Sequence, residues 1–166
     1  MTPNVLIIVA TGFIPLVLSM LWYSPALFGN TWLNEMGMTK EDMKKNQKPL
    51  KFILSLVVNI LLGFGLFTMS AHEFSVLGLV GGDPALATSG TAGAFLAEYG
   101  GSFSRFSHGA VHAIFAAILV ALPFLAHQAM WSGKSFKAFA IDFCFWLLAM
   151  VLMGGVISQW GGNLLV

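Results

Sequence analysis

The chain has 166 residues, of which 57% are hydrophobic and 9% charged, for a net charge of +1 and a mean hydropathy of +0.83. A soluble domain carries roughly 25% charged side chains, so the composition lacks the polar surface of a water-soluble fold and predicts an integral membrane protein. The length admits one domain of four spans without an added soluble catalytic domain, and the near-neutral charge argues against nucleic acid as a partner.

The first apolar run extends from about Val5 to Tyr23. It has no basic residues ahead of it and is too long for a secretory h-region. It is followed by Trp22, Tyr23 and Pro25 instead of a small-residue cleavage site, so an uncleaved span is expected. Pro15 removes a backbone donor inside this run and predicts a bend. The loop Gly29–Lys51 holds Lys40, Lys44, Lys45, Lys48 and Lys51. Within it, Thr39 followed by Asp42 reads as a capping box that opens a short polar helix, which Pro49 is expected to close. The five lysines serve as a topology determinant. They also offer a surface for anionic lipid, at about 1 kcal/mol per residue.

The second span runs from about Phe52 to Ser70, and Asn59 near its middle predicts an interhelical hydrogen bond. Gly63 and Gly65 here, with Gly154 and Gly155 later, are small enough for close helix contact. Next comes a glycine-rich loop, Ala71–Phe106, whose apolar stretches are too short to cross a membrane. It carries Glu73, Asp83 and Glu98 against a single basic residue, Arg105. The third span, about Gly109 to Leu125, contains Pro123 and again predicts a bend. The loop Ala126–Lys137 carries His127, Lys134 and Lys137. The fourth span, about Ala138 to Ile157, carries Asp142 and the single cysteine, Cys144, which is most simply a small buried hydrophobe.

Each run approaches the roughly 20 residues needed to cross a hydrocarbon core of about 30 Å, and helices alone satisfy their own backbone in lipid. The expected fold class is all-α: one four-span membrane bundle over residues 1–166, with short cytoplasmic loops and a longer glycine-rich outer loop. Seven of the eight Lys and Arg residues lie in the first and third loops. The positive-inside rule then puts those loops in the cytoplasm, with both termini outside. Trp22, Tyr23, Phe28, Trp32 and Trp131 would mark the inner interface, and Tyr99, Phe103 and Trp160 the outer one.

The segment Leu21–Lys45, LWYSPALFGNTWLNEMGMTKEDMKK, resembles the signature of a family of small bacterial membrane proteins known as domain of unknown function 1761. The residues that carry the resemblance are Trp22, Tyr23, Pro25, Phe28, Gly29, Trp32 and Gly37. Two further segments, Phe106–His112 and Met153–Trp160, are also similar. The resemblance implies a four-span integral membrane protein, for which the bacterial inner membrane is the expected location, and it implies no activity, substrate or catalytic residue.

Two groups of residues bear on chemistry. His108 and His112 are four apart and share a helix face, and His72 and Glu73 fall at the same outer level. Imidazole and carboxylate together suit Zn²⁺ or another divalent ion, although interfacial histidines bonded to loop carbonyls are the simpler reading. His127 lies fifteen residues beyond His112, roughly 22 Å along a helix, and so belongs to the inner end with Asp142. A carboxylate at membrane depth is a functional candidate by default. It is either a structural partner of His127 or a lysine, or half of a protonatable pair in a transport route.

The leading expectation is a non-enzymatic structural or accessory protein without a cofactor. Its partners would be membrane lipids and copies of itself or a larger membrane complex. The alternatives are a small oligomeric transporter or channel using Asp142 and His127, and an outer-facing metal-binding protein using His108 and His112.

Overall fold

The computed structural model describes residues 4–102 and 105–162, and all elements within them are helical. Phe103, expected at the outer interface, lies outside the described residues. Four stretches are long and apolar enough to cross a membrane: Val5–Trp22, Pro49–Ser70, Phe106–Ser132 and Phe136–Trp160. The last two have 27 and 25 residues. At 1.5 Å per residue they reach about 40 Å, so their ends project past a 30 Å hydrocarbon core.

The first span is two helices, α1 (Val5–Thr11) and α2 (Phe13–Trp22), separated at Gly12. Pro15 has no N–H to donate to Thr11, and its ring opposes the carbonyls one turn back. The interruption therefore falls just ahead of the proline. The freed backbone is repartnered locally: the Thr11 hydroxyl donates to the Ile8 carbonyl at 2.6 Å. The buried Asn59 amide donates to the Gly12 carbonyl at 3.2 Å. The interhelical bond expected of Asn59 thus goes to the backbone where its neighbour helix is broken. Gly12 admits this approach, because a Cβ there would come within 2.7 Å of Ile60 Cγ1.

Short helices α3 (Gly29–Glu35) and α4 (Lys40–Asn46) follow. The capping box of α4 is formed, with Asp42 N–H donating to Thr39 Oγ1 at 3.1 Å and Thr39 N–H donating to Asp42 Oδ2 at 3.0 Å. Pro49 does not terminate α4, which ends at Asn46. It stands at the first position of α5 (Pro49–Ser70), where a missing N–H costs nothing.

After α5 come α6 (Glu73–Leu79), α7 (Pro84–Ala87) and α8 (Gly90–Tyr99). The third span starts at Phe106, earlier than the hydropathy run, as α9 (Phe106–Ala116). It widens into a π turn over Ala117–Ala121 and continues as α10 (Leu122–Ser132). The π turn lies immediately ahead of Pro123. Widening relieves the clash between the proline ring and the carbonyl of Leu119, so the expected bend takes this form. Gly133, in the left-handed region with φ +68°, ends α10. Ser135 then caps α11 (Phe136–Trp160) by accepting from Ala138 N–H at 3.1 Å.

The fourth span is the centre of the bundle. Half of its most apolar window is buried, against 22% in each of the other spans. It meets α9 at a backbone-to-backbone crossing of Gly109 and Gly154, where a Cβ on Gly154 would lie 2.6 Å from the Gly109 carbonyl oxygen. Gly155 lies under the Phe106 ring, and Gly63 lies against Ile8 and Thr11. A Cβ on Gly65 would meet no atom of another helix within 4 Å, so Gly65 is not a helix-contact glycine among the described residues. Small residues let membrane helices approach until dispersion contacts saturate. Around this crossing Phe67, Ala113, Ala117, Met150, Met153 and Ile157 form the core.

The four spans alternate in direction. His72, His108, His112 and the described chain ends therefore share one end of the bundle, where Asn4 N–H donates to the Gly161 carbonyl at 2.7 Å. Lys134, Lys137 and the α4 lysines lie at the other. These are called below the histidine end and the lysine end.

Candidate metal centre and its surroundings

At the histidine end, α5 stops at Ser70 and Ala71 turns the chain with an extended backbone, which makes His72 the cap residue of α6. His108 and His112 come from successive turns of α9. The three rings form a triangle, with centroids 4.9 Å apart for His72 and His108, 5.2 Å for His72 and His112, and 4.5 Å for His108 and His112. One ring nitrogen from each lies within 4.8 Å of the others.

Zn–N bonds of about 2.0–2.1 Å put tetrahedral ligand atoms roughly 3.3 Å apart. Rings at this spacing close on an ion by a shift of about 1 Å or more. His72 is exposed and the other two are half-buried, which leaves room for that movement. His108 Nε2 also lies 3.3 Å from the Ser70 carbonyl oxygen. Donation of a ring N–H to a backbone carbonyl is how metal-bound imidazoles are commonly oriented. Three neutral nitrogens suit Zn²⁺ and other borderline divalent ions, and they leave one tetrahedral position open.

Glu73, grouped with these histidines on sequence, is not part of the triangle. It is 3% exposed, its Oε1 has no hydrogen-bond partner among the described residues, and it lines an adjacent cleft.

At the lysine end, Asp142 is the meeting point of three donors. The Tyr23 hydroxyl donates to Oδ1 at 2.7 Å and the Trp32 indole N–H to the same oxygen at 2.8 Å. The Lys134 ammonium forms an ion pair with Oδ2. Trp22 adds a bond from its indole to the Ile141 carbonyl at 3.2 Å. Tyr23 and Trp32 meet edge to face at 5.4 Å between centroids, and Trp22 lies 4.6 Å from Phe28.

The turn that brings α3 under α2 depends on Gly29, whose N–H donates to the Ser24 carbonyl at 2.9 Å. A Cβ there would meet the carbonyl carbon of Tyr23 at 2.7 Å. Trp22, Tyr23, Phe28 and Trp32 of the signature thus gather into an aromatic collar on the fourth span, with Tyr23 and Trp32 on the Asp142 carboxylate and Trp22 on the Ile141 carbonyl beside it. Sequence singled out Asp142 and Lys134 by charge. The aromatic donors were legible only as interface markers.

His127 has another partner. Its Nε2 accepts from the Trp131 indole at 3.0 Å, one turn along α10. The structure does not join His127 and Asp142 by a hydrogen bond. Of the basic residues placed against anionic lipid, Lys40, Lys44 and Lys45 lie on α4, a helix that buries no residue. Lys48 precedes α5, and Lys51 falls in its first turn.

A bundle of four helices long and apolar enough to cross a membrane, with an imidazole triangle at one end and a collared carboxylate at the other, defines a polytopic membrane protein. The chain belongs to the family described as Protein of unknown function (DUF1761), whose model matches residues 6–158. No curated protein and no solved structure matches the chain.

Proposed function

We propose that this is a non-enzymatic protein of the bacterial inner membrane that binds one divalent transition-metal ion, with Zn²⁺ the first candidate, through His72, His108 and His112. The observation that carries the reading is the convergence of three imidazole nitrogens within 4.8 Å from two separate helical segments. Histidine pairs at i, i+4 arise readily on any helix. A third from a different segment requires the fold to bring it there.

The positive-inside rule supports an extracytoplasmic position for this centre. The open coordination position and the lipid-exposed faces of the first three spans support work alongside copies of the chain or within a larger membrane complex. The transport alternative has less support, because Asp142 takes its bonds from Tyr23, Trp32 and Lys134.

The test is metal stoichiometry and affinity on purified protein, stripped by chelator and reloaded with Zn²⁺. Binding of about one ion per chain is expected. Each of His72→Ala, His108→Ala and His112→Ala should weaken affinity by about tenfold or more, and acidification should release the ion as the imidazoles take up protons. Absence of stoichiometric metal, or unchanged affinity in His112→Ala, defeats the proposal.

A further inference from the structure

Beside the histidines, a cleft of about 270 Å³ opens between the ends of α5 and α11 and the short helix α8. Its walls include Phe67, Val76, Phe95, Tyr99 and Ile157, and one carboxylate, Glu73, lines it. Glu73 is 3% exposed, and its Oε1 has no hydrogen-bond partner among the described residues. A buried acceptor left without a donor is unfavourable, and more so when charged. A ligand that supplies a charged donor offsets that cost directly. Phe95 and Tyr99, both about half exposed, present aromatic faces that attract cations. Tyr99 is held at its hydroxyl end by its chain neighbour: Glu98, which does not line the cleft, accepts from that hydroxyl and holds it above the ordinary phenol range.

We propose that this cleft binds a small organic ammonium ion, with the N–H donors on Glu73 and the apolar body against Phe67, Phe95 and Ile157. The volume falls below the roughly 300–1,000 Å³ of drug-sized pockets, which limits the ligand to a short aliphatic or single-ring amine. Three features select the class together: a buried unpartnered acid, aromatic walls, and no lysine or arginine among the lining residues. The proposal stands independently of metal at the neighbouring histidines. Because His72 also lines the cleft, a bound divalent ion would oppose the ammonium charge.

The experiment titrates the full chain in detergent micelles, with metal removed by chelator at pH 8, using benzylammonium and its neutral isostere benzyl alcohol. Saturable benzylammonium binding is expected, with benzyl alcohol bound about tenfold or more weakly, because its O–H can still donate to Glu73 but carries no positive charge. Glu73→Gln should lose benzylammonium by a similar factor, and His112→Ala should retain it. Tyr99→Ala removes a half-exposed side chain and keeps the test decisive if Glu73→Gln fails to fold. It should weaken benzylammonium several-fold at unchanged helicity. Absent binding, equal binding of the alcohol, or unchanged benzylammonium affinity in a folded Glu73→Gln or Tyr99→Ala protein overturns the proposal. Failure of the metal reading shows instead as absent Zn²⁺ binding, while the ammonium titration is unaffected.

Discussion

Replacing Asp142 tests the collar at the lysine end. The side chain is 14% exposed and its ion-pair partner Lys134 is 21% exposed, so solvent screens the pair only in part. Three donors converge on the carboxylate, from Tyr23, Trp32 and Lys134. A hydrogen bond to a charged group contributes about 1.5–3 kcal/mol. Bonds to one carboxylate are coupled, so their separate values overstate the whole.

Breaking a buried ion pair by removing one partner costs about 3–5 kcal/mol, and Asp142→Ala should fall in that range, because it strands an ammonium, a phenol and an indole. Asp142→Asn keeps an acceptor for Tyr23 and Trp32 but turns an amide toward Lys134, for a loss of about 2 kcal/mol. Lys134→Met leaves two neutral donors in place and should cost less than the alanine variant. Reversible unfolding in mixed micelles, followed by tryptophan fluorescence, gives these differences directly, since Trp22 and Trp32 sit in the collar. A stability change for Asp142→Ala within about 0.5 kcal/mol of the parent, the scatter of ordinary surface substitutions, would refute the claim that the collar holds the bundle together. An Asp142→Asn protein of near-parental stability that abolished a measured solute flux would instead favour the transport alternative.

Gly109→Ala should destabilise the bundle by about 1–3 kcal/mol, because the added methyl group meets the backbone of Gly154 and overpacks the crossing. Gly65→Ala, with open space around it, should be neutral or stabilising by up to about 1 kcal/mol through helix propensity. The same unfolding assay checks both, and equal losses would contradict the crossing geometry. In a Cys144→Ser background, a cysteine at Lys45 should react with an impermeant maleimide on inverted vesicles and not on intact spheroplasts. The reverse labelling would overturn the inferred orientation. The Thr39 bonds hold the Asp42 carboxyl below its ordinary value of 3.8. The depressed value means the capping contribution is full above that pH and fades as pH falls through the lower folded-state value. Thr39→Ala should raise the Asp42 titration midpoint in a carbon-detected NMR titration, and no rise would separate the shift from the capping box.

The sequence alone determined the class, the number of spans and their approximate limits, because hydropathy and backbone satisfaction in lipid are local properties of a run of residues. It also contained the capping box of α4 and the disturbance caused by each proline, since both follow from neighbours within a turn. The way each proline is accommodated was decided by packing and helix continuity: a break at Gly12 repartnered by Asn59 in one span, a π turn ahead of Pro123 in the other. Tertiary structure alone drew His72 to the two histidines of α9 while leaving Glu73 in a separate cleft, and joined Tyr23 and Trp32 to an aspartate more than a hundred residues away. The reason is physical: sequence spacing fixes which side chains share a helix face, whereas contacts between helices depend on where their backbones cross. For α9 and α11 that is the point where Gly109 meets Gly154.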